Sequence, residues 1–144
     1  MTFLRALHTI TAQGPISQYR RCRFQGHLAS LDSVQDVRPA LDEIAAQKRI
    51  SKSSHPHIAA WTGVQEHEAG FDDCGESGAG QRLLHLLQRR GLQNSLVAVT
   101  RWYGGKHLGK SRFRAIQDAA EAVLPSHDGT NHILAHNTTL PTKD

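Results

Sequence analysis

Between Arg21 and Leu31 the chain alternates, with Cys22, Phe24, Gly26 and Leu28 on one side and Arg23, Gln25 and His27 on the other. A period of two predicts a half-buried strand. Apolar residues then recur at Val37, Leu41, Ile44 and Ala45, the spacing of one helical face. Pro39 is tolerated only in the first turn, where a missing N–H breaks no intrahelical bond, so Asp36 is the expected N-cap. His57 to Val64 (HIAAWTGV) predicts a second strand, and the polar, acidic stretch Gln65 to Glu76 a loop. A helix capped by Ser77 follows, with Ala79, Leu83, Leu86 and Leu87 on its apolar face and Gly91 closing it. Leu96 to Thr100 (LVAVT) is apolar on both sides, as a central strand covered by helices would be. The last helix begins near Ser111 with Phe113, Ile116, Ala120, Val123 and Leu124 on one stripe, and Pro125 stops it.

The order strand, helix, strand, helix, strand, helix favours an α+β fold, a two-layer sandwich of a mixed β-sheet with helices packed on one face. A length of 144 residues suits one core rather than two. Residues 20–125 are expected to form that domain, between an N-terminal tail (1–19) and a polar C-terminal tail (126–144).

Charge changes this picture only slightly. Seventeen Lys and Arg against thirteen Asp and Glu give +4, and every acid lies after Leu31. That bias is compatible with RNA, ribosomes or acidic proteins and falls short of a dedicated nucleic-acid binder. Cys22 and Cys74 form no CxxC or other metal-ligand spacing, and no secretory signal precedes them, so reduced thiols and a cytoplasmic location are expected. Met1 to Gly14, with an Arg, three threonines and no acid, also fits a mitochondrial presequence. No apolar run approaches the roughly 20 residues of a membrane span, so no membrane partner is expected.

Candidate chemistry gathers in two segments. Gly104 to Ser111 (GGKHLGKS) satisfies G-x-x-x-x-G-K-[ST] after a strand and before a helix, the pattern of a loop whose amides cradle phosphates. An NTPase also needs a later apolar strand ending in a metal-binding aspartate, and the sole later apolar run, Ile133 to Ala135, ends in His136 and Asn137. Nucleotide hydrolysis is therefore disfavoured. Read more simply, Arg101, Trp102, Tyr103, Gly104, Gly105, Lys106, Gly109, Lys110, Arg112 and Arg114 form a basic turn at a helix start that a partner or anion could read. Its glycines would let the turn close while Trp102 and Phe113 anchor it. The second segment, Asp72 to Gly80 (DDCGESGAG), offers Asp72, Asp73 and Glu76. Pairing with those arginines, or capping a helix, is favoured over binding a hard cation, because the loop lacks further ordered oxygen ligands. Flanking acids raise the pKa of Cys74 and make it a poor nucleophile. Gly75 to Ala79 misses the G-x-S-x-G elbow by one glycine. No catalytic residue, metal or cofactor is expected, and an unrecognised hydrolase or nucleotide-binding protein is a remote alternative.

Taken together, SSHPHIAAW (Ser53 to Trp61), DDCGESGAGQRLLHLL (Asp72 to Leu87) and LVAVTRWYGGKHLGKSRFRAI (Leu96 to Ile116) resemble the Impact/YigZ family, with FQGHLASLDSVQDV fitting its opening strand and helix start. The resemblance spans about residues 20 to 124, is nearest the eukaryotic branch, and departs from it in showing no RWD domain ahead of residue 20. It implies a domain similar to the C-terminal domain of a small-subunit ribosomal protein, and a phosphate-loop match that is coincidental. It also implies a non-catalytic role in translation control. Eukaryotic relatives restrain the starvation-responsive kinase of initiation factor 2 alpha by competing for its ribosome-associated co-activator, and they bind actin. Direct RNA or ribosome binding through the basic turn is the alternative.

Overall fold

The computed structural model describes residues 8–125, with side chains from Ile10 onward. Six strands, β1 (His8–Gln13), β2 (Ser17–Tyr19), β3 (Cys22–Leu31), β4 (His55–Thr62), β5 (Gly70–Asp72) and β6 (Ser95–Trp102), form one sheet in the order β1-β3-β6-β4-β5, with β2 also on β3. Four helices, α1 (Val37–Ala46), α2 (Lys48–Ser51), α3 (Ala79–Arg89) and α4 (Ser111–Glu121), complete it. The expected C-terminal tail, 126–144, lies outside the described residues. The expected N-terminal tail does not stay free of the fold, since β1 and β2 both pair with β3.

The α+β class stands, with two differences in detail. Every pairing among the described residues is antiparallel, so the sheet is not mixed. Helices also cover both faces. On one face Cys22, Phe24, Val97, Val99, Ile58 and Ala60 pack with Leu83, Leu86 and Leu87 of α3 and Ile116 and Ala120 of α4. On the other, Ala29, Leu31, Ala59, Leu96 and Ala98 pack with Ala40, Leu41 and Ile44 of α1 and Ile50 of α2. The cause is the central strand, whose successive residues alternate between faces and are apolar on each, so that one helical layer would leave Leu96 and Ala98 in water. Each fully buried Leu or Ile on these helices contributes about 1.5–3 kcal/mol of transfer free energy.

Two local devices set the packing. A Cβ at Gly26 would lie 2.1 Å from the Ala119 carbonyl oxygen, so the missing side chain is what lets α4 rest directly on β3. Ser33 accepts from the Gln35 N–H (2.9 Å), and the Asp36 carboxylate accepts from the Asp32 and Ser33 N–H groups (3.1 and 3.2 Å). Asp36 occupies the N-cap position of α1, as expected, but its carboxylate caps the preceding 3-10 turn and makes no side-chain bond into α1.

Candidate functional site

Strand β5 lays the acidic loop alongside β4, with Asp72 opposite Ala59. Asp72 accepts from the Cys74 N–H (2.8 Å) and lies 3.7 Å from His57 Nδ1. Asp73 accepts from the Gly78 and Gly80 N–H groups (3.1 and 2.7 Å), satisfying the open amides at the start of α3. The cap of this helix is thus Asp73 and not Ser77. The helix starts one residue later than a Ser77 cap requires, and Gly78, at φ +91°, turns the chain so that Asp73 reaches forward.

Glu76 is buried, at 4% exposure, and its carboxylate joins three elements. Oε2 is bonded by Arg101 Nη1 from the end of β6 and lies 3.4 Å from His55 Nε2 at the start of β4. Oε1 accepts from Arg112 Nε of α4 at 2.7 Å. His55 Nδ1 in turn bonds the Cys74 carbonyl (2.8 Å). Arg101 is itself only 5% exposed, so this arginine lies inside the domain and is not part of the readable surface expected from sequence. Its Nη2 also touches Cys22 Sγ at 3.5 Å. Burial works against its charge, but the bonds to Cys22 and Glu76 outweigh burial and hold the guanidinium above its ordinary range. Removing Glu76 would leave that charge buried and unpaired.

The turn that follows is closed by its neighbours. Ser54 N–H donates to the Arg101 carbonyl (3.2 Å), and the Tyr103 N–H donates back to Ser54 Oγ (2.9 Å). Gly104 sits so close to the Arg21 carbonyl that a Cβ would lie 2.0 Å from its oxygen. Gly105 and Gly109 turn the chain at φ +90° and +61°. Leu108 is buried between them, Ser111 Oγ donates to the Leu108 carbonyl (2.7 Å), and Arg112 Nη1 donates to the Gly109 carbonyl (2.6 Å). The phosphate-loop spelling therefore describes a loop filled by its own leucine, with its hydroxyl already engaged. Phe113 lies under the Arg82 and Arg112 guanidiniums (4.3 and 4.4 Å), and Trp102 donates from Nε1 to the Arg49 carbonyl (3.2 Å), so both aromatic anchors pack.

Tyr103, Lys106, His107, Lys110 and Arg114 remain exposed on this turn. Glu76, Arg101, Tyr103, Gly109 and Arg112 line an open pocket of about 640 Å³, together with Ser54, His55, His107 and Leu108, which sequence reasoning does not select. The spacing of His55 and His57 on one strand is the single visible signal among those. Cys74 borders this loop, and its thiol is pushed up by burial, which outweighs the lowering by a bond with the His57 backbone; Asp72 and Glu76 add smaller upward pushes. Among the described residues no group of His, Cys, Asp and Glu is arranged to hold a metal ion.

Fold and site define an antiparallel α+β domain whose two chemistry-bearing segments are tied by one buried carboxylate. The family model for the Impact N-terminal domain matches residues 20–124, and the chain belongs to that family. It is 36% identical over 143 residues to an IMPACT family member of Saccharomyces cerevisiae, covering 73% of this chain and 84% of that protein. It is 40% identical over 108 residues to Protein IMPACT of Danio rerio, covering 73% of this chain but 34% of the relative, so the chain spans about a third of the vertebrate protein. Among solved structures, the two-domain translational regulator Yih1 shares the fold at TM-score 0.51 and 31% identity, over 85% of this chain and 48% of that one. A hypothetical protein aligns at TM-score 0.68 and 24% identity, over 84% and 61%, and speaks to the fold alone.

Proposed function

We propose that this chain is a non-catalytic regulatory domain of translation that works by binding a protein partner through the β6–α4 turn and the adjoining acidic loop. The Glu76 clamp carries this reading. It spends on structure the buried acid and the two arginines that a catalytic pocket would need free, and it makes one rigid surface of two segments distant in sequence. Burial first, and the acids after it, push the neighbouring thiol up, which disfavours the thiolate that a nucleophile needs. What faces solvent is Tyr103, Lys106, His107, Lys110 and Arg114, an aromatic and basic set suited to an acidic protein surface. Kinship with a two-domain translational regulator supports placing the partner in translation. On this reading the partner is the ribosome-associated co-activator of the starvation-responsive kinase, and occupying it restrains phosphorylation of initiation factor 2 alpha. Actin is a further candidate partner.

The test compares the tagged full chain with a Tyr103→Ala, Lys106→Ala, Lys110→Ala variant, each purified from fed and amino-acid-starved cells. The co-activator should accompany the unmodified chain and be lost with the variant. If no ribosomal or kinase-pathway protein accompanies the unmodified chain, the proposal fails.

A further inference from the structure

We propose that the end of the sheet formed by the β2–β3 turn and helix α2, which adjoins the clamp-built turn at Trp102 and Gly104, is a binding surface for the phosphate backbone of RNA, going beyond the protein-partner reading. Six exposed cations meet there: Arg20, Arg21, Arg23, Lys48, Arg49 and Lys52. Among the described residues none of them forms an ion pair with a carboxylate. Arg23 and Arg49 come from different elements and both stack on the Trp102 ring, at 6.0 and 5.6 Å from its centre. Arg49 Nη2 donates to Gln25 Oε1 (3.3 Å), and the remaining N–H groups of the two guanidiniums suit phosphate oxygens.

The tip adds an independent observation. Tyr19 pairs with Cys22, so the hairpin turns on two residues, Arg20 and Arg21, with φ at +50° and +76°. A two-residue turn with both φ positive ordinarily takes Asn-Gly, and a side-chain-bearing residue held there is strained. Two arginines at this strained tip trade stability for a pair of cations projecting from the domain.

The chemistry of the neighbouring depression chooses the partner. Its volume is about 480 Å³ and it is lined by Gln47, Lys48, Arg49 and Lys52. Its polar groups are two ammoniums, a guanidinium and an amide whose oxygen already accepts from Gln13, so it offers donors with no free side-chain acceptor, which suits the repeated phosphate oxygens of a phosphodiester chain. Because guanidiniums already occupy the indole, recognition falls on the backbone and not on stacked bases.

The experiment titrates the purified full chain into a fluorescently labelled duplex RNA across a salt series, with no other protein present. Binding should weaken with salt at a log–log slope of about −5 for six contacted phosphates, and the slope should shrink by about 1 for each cation removed. Arg20→Asn with Arg21→Gly should weaken binding while raising the urea midpoint, which separates lost contacts from lost folding. Lys48→Gln with Lys52→Gln should weaken it without moving the midpoint. The proposal is overturned if the unmodified chain does not bind at low salt, if both variants bind like it, or if polyglutamate competes as well as unlabelled RNA at equal charge. Since the assay holds no protein partner, either result leaves the regulatory-domain reading to stand or fall separately.

Discussion

Acidification should destabilise this domain through one buried imidazole. His27 is fully buried on the α1 face of β3, with Nε2 2.8 Å from Thr100 Oγ1 and Nδ1 2.9 Å from Gln13 Nε2. Thr100 donates its own proton to the Pro56 carbonyl (2.8 Å), so its oxygen accepts from His27 Nε2–H. The Gln13 amide donates to Nδ1, and the neutral ring is thereby satisfied on both sides. Burial, and then the charge of Arg49, lower its pKa from 6.5 to about 4. The unfolded chain therefore takes up this proton near 6.5 and the folded one only near 4. Between those values the unfolded state binds more protons, and stability falls as pH falls. A separation of 2.5 corresponds to about 3 kcal/mol in full, of which about 2 kcal/mol is lost between about pH 7.5 and about pH 5. Urea unfolding of the native chain and of His27→Gln at both pH values isolates this contribution from the carboxylates and the other histidines. The advantage of the native chain over the variant should shrink by about 2 kcal/mol on acidification. A difference that stays constant within about 0.5 kcal/mol would refute the reasoning.

Three further outcomes are expected. Glu76→Leu leaves Arg101 buried without its carboxylate and should lower unfolding free energy by about 3–5 kcal/mol in urea titration. Gly26→Ala drives a Cβ into the Ala119 carbonyl and should cost at least about 3 kcal/mol, whereas Gly91→Ala, with φ +67° and open space, should cost about 1 kcal/mol. Comparing their thermal midpoints checks the close approach of α4. Asp73→Ala removes two bonds to the α3 amides and should cost about 1–2 kcal/mol, while Ser77→Ala should shift unfolding free energy by less than about 0.5 kcal/mol in the same urea titration.

Strands and helices that carry periodic apolar residues are legible in the sequence itself. The alternation at Cys22 to Leu28, the faces of α3 and α4, and the all-apolar Leu96 to Thr100 each correspond to an element. Strands β1, β2 and β5 are not legible there, because three-residue pieces such as Ser17–Tyr19 and Gly70–Asp72 owe their extended form to the partner strand and not to their own pattern. The two-sided character of Leu96 to Thr100 already implies two covered faces, and the element order alone is the weaker guide. At the site, the expected pairing of the acidic loop with the arginines of the turn is found at Glu76 with Arg101 and Arg112, and the expected capping at Asp73; what the sequence does not display is that Glu76 and Arg101 meet inside the domain, because their burial is set by elements distant in the chain. The exposed cations at Arg20, Arg21 and Arg49 carry no sequence signal because no motif spelling unites them; only β3, α2 and β6 meeting at one end does so.

The central place of β6 also dictates when the domain can form. β3 and β4 are neighbours in the chain but not in the sheet, for β6 stands between them and pairs with both. During synthesis β1 to β5 emerge with the middle of the sheet vacant, and Val97, Val99, Leu96 and Ala98, which knit the two cores, arrive last among the strands. Pairings of such long separation close slowly and leave strand edges open meanwhile. A nascent chain truncated before Ser95 should therefore present two unjoined half-sheets to chaperones, and folding should wait on a single late segment.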